Sequence, residues 1–191
     1  MYKKFTADDY RKHINLAPDY SVDGFIIFGS FKKYPYEMLK DSLVRLGHKA
    51  EFSNIEHEFL NPILEFKVNG KNYWFVIAYG GALLSEYLHL ACLFGSKKNI
   101  LLGSCGGLKK GASSREILIP TWSFAEESSA KAYQPDRKNQ YEANRELSER
   151  LAEKLEQKYK IHLFDLLSSW VSPGGYFRIG RFWIPRSLIG P

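Results

Sequence analysis

Three short apolar segments that each run into glycine restrict the fold of this chain more than any other feature. Nearly continuous apolar runs of this length are typical of strands that are buried on both faces of a sheet. Apolar positions at helical spacing follow them along the chain, and strands that alternate with helices indicate an α/β domain. The three segments are residues 24–28 before Gly29-Ser30, residues 73–79 before Gly80-Gly81, and residues 99–102 before Gly103.

The remaining patterns place further elements around these strands. Pro35 and Gly47 bracket one predicted helix, and Asn144 caps a longer one in which leucine recurs every four residues. Asn69-Gly70 predicts a tight hairpin turn, and Ser85 predicts the start of a helix that Gly95 ends. Further strands are predicted at residues 116–120 and 161–164. The expected architecture is a three-layer α/β/α fold with a mixed, mostly parallel sheet.

Composition limits the class of protein. The chain has 191 residues, and its 27 basic against 21 acidic residues give a net charge of +6. Its two cysteines are too few to stabilise a secreted protein of this length by disulfide bonds. No apolar run reaches the roughly 18–20 residues that a membrane helix needs, and acids precede the first apolar stretch. We therefore expect a cytoplasmic protein with no membrane partner.

The lysines occur as scattered pairs rather than as a basic stripe with interleaved aromatic residues. This pattern argues against a nucleic-acid partner and favours the attraction of small anions. The histidines show no metal-ligand spacing with cysteine or carboxylate residues, so no metal site is predicted.

The last 21 residues differ in composition from the rest of the chain. Residues 171–191 contain no Asp, Glu or Lys and include three arginines. We expect one domain over residues 1–170 and an atypical tail over residues 171–191. An irregular surface segment and a foreign C-terminus from truncation or a shifted reading frame are the two interpretations of this tail.

Glycine at the carboxyl ends of neighbouring parallel strands lets backbone N–H groups approach an anion. Each of the three glycine-bearing strand ends is a weak signal when taken alone, because glycine after a strand is most often a simple turn. Three of them in one sheet favour a shared anion pocket. Neither the dinucleotide fingerprint nor the P-loop spacing is present.

The segment from Gly95 to Leu108, GSKKNILLGSCGGL, followed by residues 117–120, resembles the central signature of the nucleoside phosphorylase superfamily. The histidine segment at His13 and the strand that ends in Gly29 extend the resemblance toward the N-terminus. It covers roughly residues 10–165. The resemblance implies that the chain cleaves the N-glycosidic bond of a nucleoside.

The resemblance also assigns roles to individual residues. It implies that Gly29, Lys33 and Ser104 bind phosphate, and that Cys105 and Gly106 lie beside the nucleoside. His13 would reach the ribose across a subunit interface in a dimer-built hexamer. Inorganic phosphate is then a co-substrate, and no organic cofactor or metal is implied.

The chain departs from the superfamily pattern at three places. Leu101 stands where a second phosphate-binding arginine is common, and Lys33 stands where the first arginine is usual. A lysine binds phosphate as a point charge and lacks the bidentate geometry of a guanidinium. No Met-Glu pair follows Trp170, so from the resemblance we expect the ribose-binding segment and the C-terminal part of the superfamily fold to be missing. No general acid is therefore predicted, and the catalytic residues stay unassigned.

Phosphorolysis to a free base and a pentose 1-phosphate is the function that the resemblance favours. A hydrolytic nucleosidase is the first alternative, because water as nucleophile makes a phosphate-binding arginine unnecessary. A non-catalytic or defective fragment that at most binds phosphate or nucleoside is the second. The choice between a purine and a pyrimidine base is left open.

Overall fold

The structure, a computed structural model, describes residues 5–30, 32–57, 60–103, 116–125, 140–168, 176–179 and 182–185. The chain divides into two compact units, residues 1–103 and residues 104–191. Each unit is described by itself.

The first unit has one five-stranded sheet in the order β2-β3-β4-β1-β5. Strand β1 lies between β4 and β5 and is parallel to both, whereas β2, β3 and β4 form an antiparallel meander. The elements are α1 (Ala7–His13), β1 (Gly24–Phe28), α2 (Tyr34–Arg45), β2 (Ala50–Ile55), β3 (Ile63–Val68), β4 (Lys71–Ile77), α3 (Gly81–Leu93) and β5 (Asn99–Leu102).

Two apolar clusters cover the two faces of this sheet. Helices α1 and α3 pack on one face, where Trp74 and Tyr87 are fully buried. Helix α2 packs on the other face through Tyr36, Leu39 and Leu43. The predicted three-layer α/β/α architecture is therefore confirmed in this unit. The mixed sheet is confirmed as well, and its parallel part consists of the three strands whose ends carry glycine.

The predicted turn and stop residues adopt the backbone angles for which glycine and asparagine are suited. Asn69 and Gly70 have φ angles of 52° and 73°, as a type I′ hairpin turn requires. Gly47 and Gly95 follow α2 and α3 with φ angles of 75° and 100°. These local signals are strong because L-residues with a Cβ rarely adopt such angles.

Helix α3 begins earlier than the sequence predicts. Its first residue is Gly81, and Gly80 takes the N-cap position, so Ser85 lies one turn inside the helix. The Ser85 hydroxyl donates to the carbonyl of Ala82 at 2.7 Å, within the helix. Leu83 and Leu84 pack against the buried cluster, which gives the chain a reason to be helical from Gly81 onward.

The second unit has a sheet in the order β7-β6-β8-β10-β9. Asn144 caps its helix as predicted, since the Asn144 Oδ1 accepts the N–H of Leu147 at 2.8 Å. An ion pair of 2.8 Å joins Lys160 and Glu116 at the start of its parallel strand pair. The elements are β6 (Glu116–Ala125), β7 (Gln140–Glu142), α4 (Arg145–Glu156), β8 (Lys160–Ser168), β9 (Tyr176–Ile179) and β10 (Phe182–Pro185).

The described part of the tail is not irregular. Strands β9 and β10 pair with each other antiparallel, and β10 pairs with β8. The interpretation of residues 171–191 as an irregular segment is therefore wrong for these two strands. The foreign origin of the tail stays a prediction.

Candidate active site

The glycine-bearing ends of β4, β1 and β5 lie side by side at one edge of the first sheet. The N–H of Ala78, after β4, donates to the carbonyl of Phe28 in β1 at 3.1 Å. The N–H of Gly29, after β1, donates to the carbonyl of Leu102 in β5 at 2.8 Å. We call the strand ends at Gly29, Gly80 and Gly103 the glycine edge. This is the position at which open α/β sheets bind ligands.

The backbone N–H of Gly29 is engaged in the sheet. Its bond to Leu102 continues the β1–β5 ladder by one residue beyond the last strand pair. A Cβ at position 29 would come to 3.5 Å from the same carbonyl oxygen, which is an ordinary contact distance. The role of the Gly29 amide as a phosphate donor stays a prediction, and it would require sharing this hydrogen with Leu102.

Two lysines flank the start of α2 at the same edge. The N–H of Lys32 donates to the hydroxyl of Ser30 at 3.0 Å, which closes a short turn after Gly29. Lys33 is the N-cap residue of α2, and both lysine side chains are exposed. Among the described residues neither lysine forms an ion pair. Their charges therefore add to the positive end of the α2 dipole at this edge.

Gly80 gives the glycine edge a backbone conformation that other residues strongly disfavour. Its φ of 118° and ψ of 134° lie outside the regions allowed to L-residues. The carbonyl of Gly80 accepts the N–H of Leu84 at 2.9 Å, so α3 begins directly at this edge. The positive end of a helix of 13 residues is thereby placed beside the strand ends.

Leu101 occupies the predicted second arginine position and brings no charge to the site. The side chain lies on β5 and is 43% exposed. Its neighbour Leu102, which pairs with Phe28, is 41% exposed. The described end of β5 therefore presents apolar surface where a phosphate-binding enzyme would gain from a cation.

Ser104, Cys105 and Gly106 lie outside the described residues, so their predicted contacts stay predictions. Gly103, the residue before them, ends the described segment at the glycine edge. An added Cβ at Gly103 would meet no atom within 4 Å.

His13 lies at the same end of the sheet as Gly29, on the β2 side, because β2 runs in the same direction as β4 and β1. It is exposed in the last turn of α1, where its ring packs edge-on against the ring of His57 with centroids 5.9 Å apart. His57 follows β2, which is three strands from β1. Three strand spacings correspond to about 14 Å. His57 therefore lies about three strand spacings to the side of β1, and the action of His13 across a subunit interface stays a prediction.

Sequence reasoning missed the His13–His57 pair and a buried carboxylate on β3. Glu65 is 9% exposed and accepts hydrogen bonds from the hydroxyls of Tyr20 at 2.5 Å and Ser53 at 2.6 Å. The indole N–H of Trp74 donates to the Tyr20 oxygen at 2.6 Å. These partners are 12 to 54 residues apart in the chain, so no local spacing reveals them.

The network sets the protonation of Glu65. Burial raises the pKa of this carboxyl, but the hydrogen bonds from Ser53 and Tyr20 outweigh it, and the pKa lies below its ordinary value of 4.5. Burial and the hydrogen bond to Glu65 raise the pKa of the Tyr20 phenol. A carboxylate that is ionised and fully engaged in this way stabilises the fold and is not available as a proton donor.

Within the described residues no group of three or more His, Cys, Asp or Glu side chains is arranged to hold a metal ion. None of the described helices is long and apolar enough to cross a membrane.

No protein-family model matches the chain, and no curated protein matches it by sequence. Solved structures of nucleosidases do share its architecture. Native futalosine hydrolase of Helicobacter pylori strain 26695 superposes with a TM-score of 0.61 at 16% identity, over 80% of this chain and 70% of that chain. The chain has the fold of these nucleosidases.

Two further nucleosidases show the same likeness. The Helicobacter pylori protein MTAN matches with a TM-score of 0.58 at 18% identity, over 80% of this chain and 70% of that chain. The 5′-methylthioadenosine/S-adenosylhomocysteine nucleosidase of Neisseria meningitidis, solved with methylthio-immucillin-A, matches with a TM-score of 0.56 at 15% identity. There the match covers 78% of this chain and 65% of that chain. The resemblance predicted from the sequence is confirmed for the fold.

Proposed function

We propose that the chain is a nucleosidase that uses water to cleave the N-glycosidic bond of a nucleoside. The products are the free base and the free pentose. The fold shared with futalosine hydrolase and the methylthioadenosine nucleosidase supports this class of reaction. The comparisons favour hydrolysis over phosphorolysis, which was the first function predicted from the sequence.

The hydrogen bond of the Gly29 N–H within the sheet is the observation that favours water over phosphate as the nucleophile. A phosphorylase must hold a phosphate dianion against the sugar, and it needs unpaired N–H donors and cations for that purpose. Here the Gly29 N–H donates to Leu102, and Leu101 replaces an arginine. Each missing charged hydrogen bond lowers phosphate affinity by about 1.5–3 kcal/mol. A water molecule needs neither the amide nor the arginine.

Hydrolysis requires the site to hold the nucleoside and a water molecule, but no phosphate dianion. The bond from C1′ to the base breaks with oxocarbenium character at the sugar, and its electron pair goes to the base nitrogen, which takes up a proton. Water adds to C1′ and loses a proton, so the two proton transfers balance. The site must position the water and the nucleoside and exclude competing geometries. We assign Cys105 and Gly106 to nucleoside contact, and Ser104, a phosphate ligand by the resemblance, to the site of the attacking nucleophile. The reaction requires no organic cofactor and no metal.

Base release with and without phosphate tests the proposal. The full chain is incubated with 5′-methylthioadenosine, adenosine, inosine and uridine in phosphate-free buffer. The same reactions are repeated with about 50 mM phosphate, a concentration well above the KM values that are typical of enzymes. We expect the same rate in both buffers and free pentose as the sugar product. A rate that requires phosphate and yields pentose 1-phosphate would establish phosphorolysis instead. No release from any of these nucleosides at high enzyme concentration would favour the non-catalytic alternative.

A pair of serine variants links the activity to the glycine edge. Ser104→Ala is expected to lower kcat/KM by roughly tenfold, the loss of about one hydrogen bond. Ser21→Ala is the matched control, because Ser21 is exposed and precedes β1 at the opposite edge of the sheet. Equal activity of both variants would remove Ser104 from the site.

A further inference from the structure

Strand β2 is the outermost strand on one side of the first sheet, so one of its sides is open to pairing. Among the described residues it pairs with β3 alone, in continuous antiparallel register from Ala50 to Ile55. The four residues Glu51 to Asn54 are exposed. Natural edge strands are commonly protected by proline, lysine, a bulge or very short length. The sequence AEFSNI has no proline, lysine or bulge within its six residues, and Glu51 is its one charged side chain.

An aromatic row crosses the sheet and ends on this edge. Phe66 on β3 pairs directly with Tyr73 on β4, and their rings stack at 5.3 Å. Phe66 also pairs with Phe52 on β2 at 6.3 Å between ring centroids. The Phe52 ring is 37% exposed, with the Lys40 ammonium 5.7 Å from its centroid. The row therefore stops at a partly exposed ring that has no aromatic neighbour on its outer side among the described residues.

We propose that β2 pairs antiparallel with β2 of a second copy of this chain, about a two-fold axis through Phe52. Such an axis is perpendicular to the sheet, so side chains on one face of the first copy lie on the same face as their equivalents in the second copy. The two five-stranded sheets then join into one. Phe52 then faces the partner's Phe52, and the aromatic row continues from one copy into the other. Directly opposed aromatic pairs of this kind stabilise antiparallel strands.

The charges along the strand are compatible with this register. Glu51 faces the partner's Ser53, Lys49 faces the partner's Ile55, and His48 faces the partner's Glu56. Within the paired strands no like charges are directly opposed, and His48 and Glu56 lie just outside them, at the two ends of the interface. A closed two-fold contact uses the same surface on both copies, so it covers the β2 edge of each copy and does not itself propagate into a fibre.

The oligomeric state of a charge-substituted variant tests the proposal. Wild-type full-length chain is expected to sediment as a dimer, and Phe52→Lys to raise the dimer dissociation constant by about tenfold to a hundredfold, because two like charges would meet on the axis. Leu46→Lys is the matched control, since Leu46 is 69% exposed at the end of α2. Circular dichroism of each variant shows whether it is folded. A monomeric wild-type chain, or a Phe52→Lys variant as dimeric as the control, would overturn the proposal.

A cross-link decides the matter if Phe52→Lys does not fold. In a chain with Cys92→Ser and Cys105→Ser, Phe52→Cys is expected to form a covalent dimer on mild oxidation. Directly opposed Cβ atoms lie about 4.5–5.5 Å apart, close to the roughly 3.5–4.5 Å of a disulfide. Leu46→Cys in the same background is expected to stay monomeric on a denaturing gel. Equal cross-linking at both positions, or none at position 52, would contradict the register.

Discussion

The carboxylate of Glu65 lies on β3 beneath the segment that joins α1 to β1, and two hydroxyl donors hold it there. Tyr20 in that segment and Ser53 on β2 each donate to one of its oxygens. We expect Glu65→Ala to lower the free energy of unfolding by about 3 kcal/mol, because it leaves the buried Tyr20 hydroxyl without its acceptor. Asp41→Ala at an exposed position of α2 is the control, with a change of less than about 0.5 kcal/mol. Urea denaturation measures both, and equal stabilities would show that the network contributes nothing.

The same carboxyl predicts how stability depends on pH. Its pKa in the folded chain lies below 4.5, so the folded state binds this proton less readily than the unfolded state does. The stabilisation is complete above the unfolded pKa and is lost as the pH falls through the folded pKa. The difference in unfolding free energy between wild type and Glu65→Gln is therefore expected to be constant from pH 6 to about 5 and to shrink below about 4.5. A difference that grows on acidification would have the wrong sign.

At the scale of elements, the start of α3 depends on one backbone conformation. Gly80→Ala places a Cβ on a residue with φ of 118°, and we expect a loss of about 2 kcal/mol in unfolding free energy. Gly29→Ala is the matched variant at the same edge, because Gly29 has no positive φ and an added Cβ meets Leu102 at an ordinary 3.5 Å. It is expected to change stability by less than about 0.5 kcal/mol. Equal losses would mean that the angle at Gly80 is not what makes glycine necessary there.

The elements differ in how well local sequence predicts them. Strand β1, helix α2, the hairpin at Asn69-Gly70 and helix α4 are confirmed, because apolar periodicity and turn residues agree within each segment. Strand β2 was not predicted, since its exposed residues AEFSNI carry no alternation and its order comes from pairing with β3. Ser85 was misleading because a serine cap signal is local, whereas the packing of Leu83 and Leu84 extends the helix.

At the scale of the whole molecule, the sequence predicted the class of fold and the edge that carries the candidate site. Glycine after a buried strand is a local signal, and the parallel order of β4, β1 and β5 brings those signals together. The hydrogen bond from Gly29 to Leu102 was not predictable, because it depends on the register between two strands that are 71 residues apart, from position 28 to position 99. The proposed preference for water over phosphate rests on that bond and on the comparisons.

The division of the chain at Gly103 leads to a prediction about folding. The sequence indicates one domain over residues 1–170, but the two apolar clusters of the first sheet close within residues 1–103. We expect a chain that ends at residue 103 to fold by itself. Trp74 reports on this directly, because it is fully buried and is the one tryptophan among these residues.

The emission of Trp74 in the 1–103 chain is expected to be blue-shifted and to move to the red in a single cooperative urea transition. The full chain with Trp122→Phe, Trp170→Phe and Trp183→Phe is the reference, since Trp74 alone then reports in both. Coincident native spectra would mean that the core around Trp74 forms without residues 104–191. A fragment with the emission of an exposed indole and no transition would instead mean that this core needs the remainder of the chain, as a single domain over residues 1–170 requires.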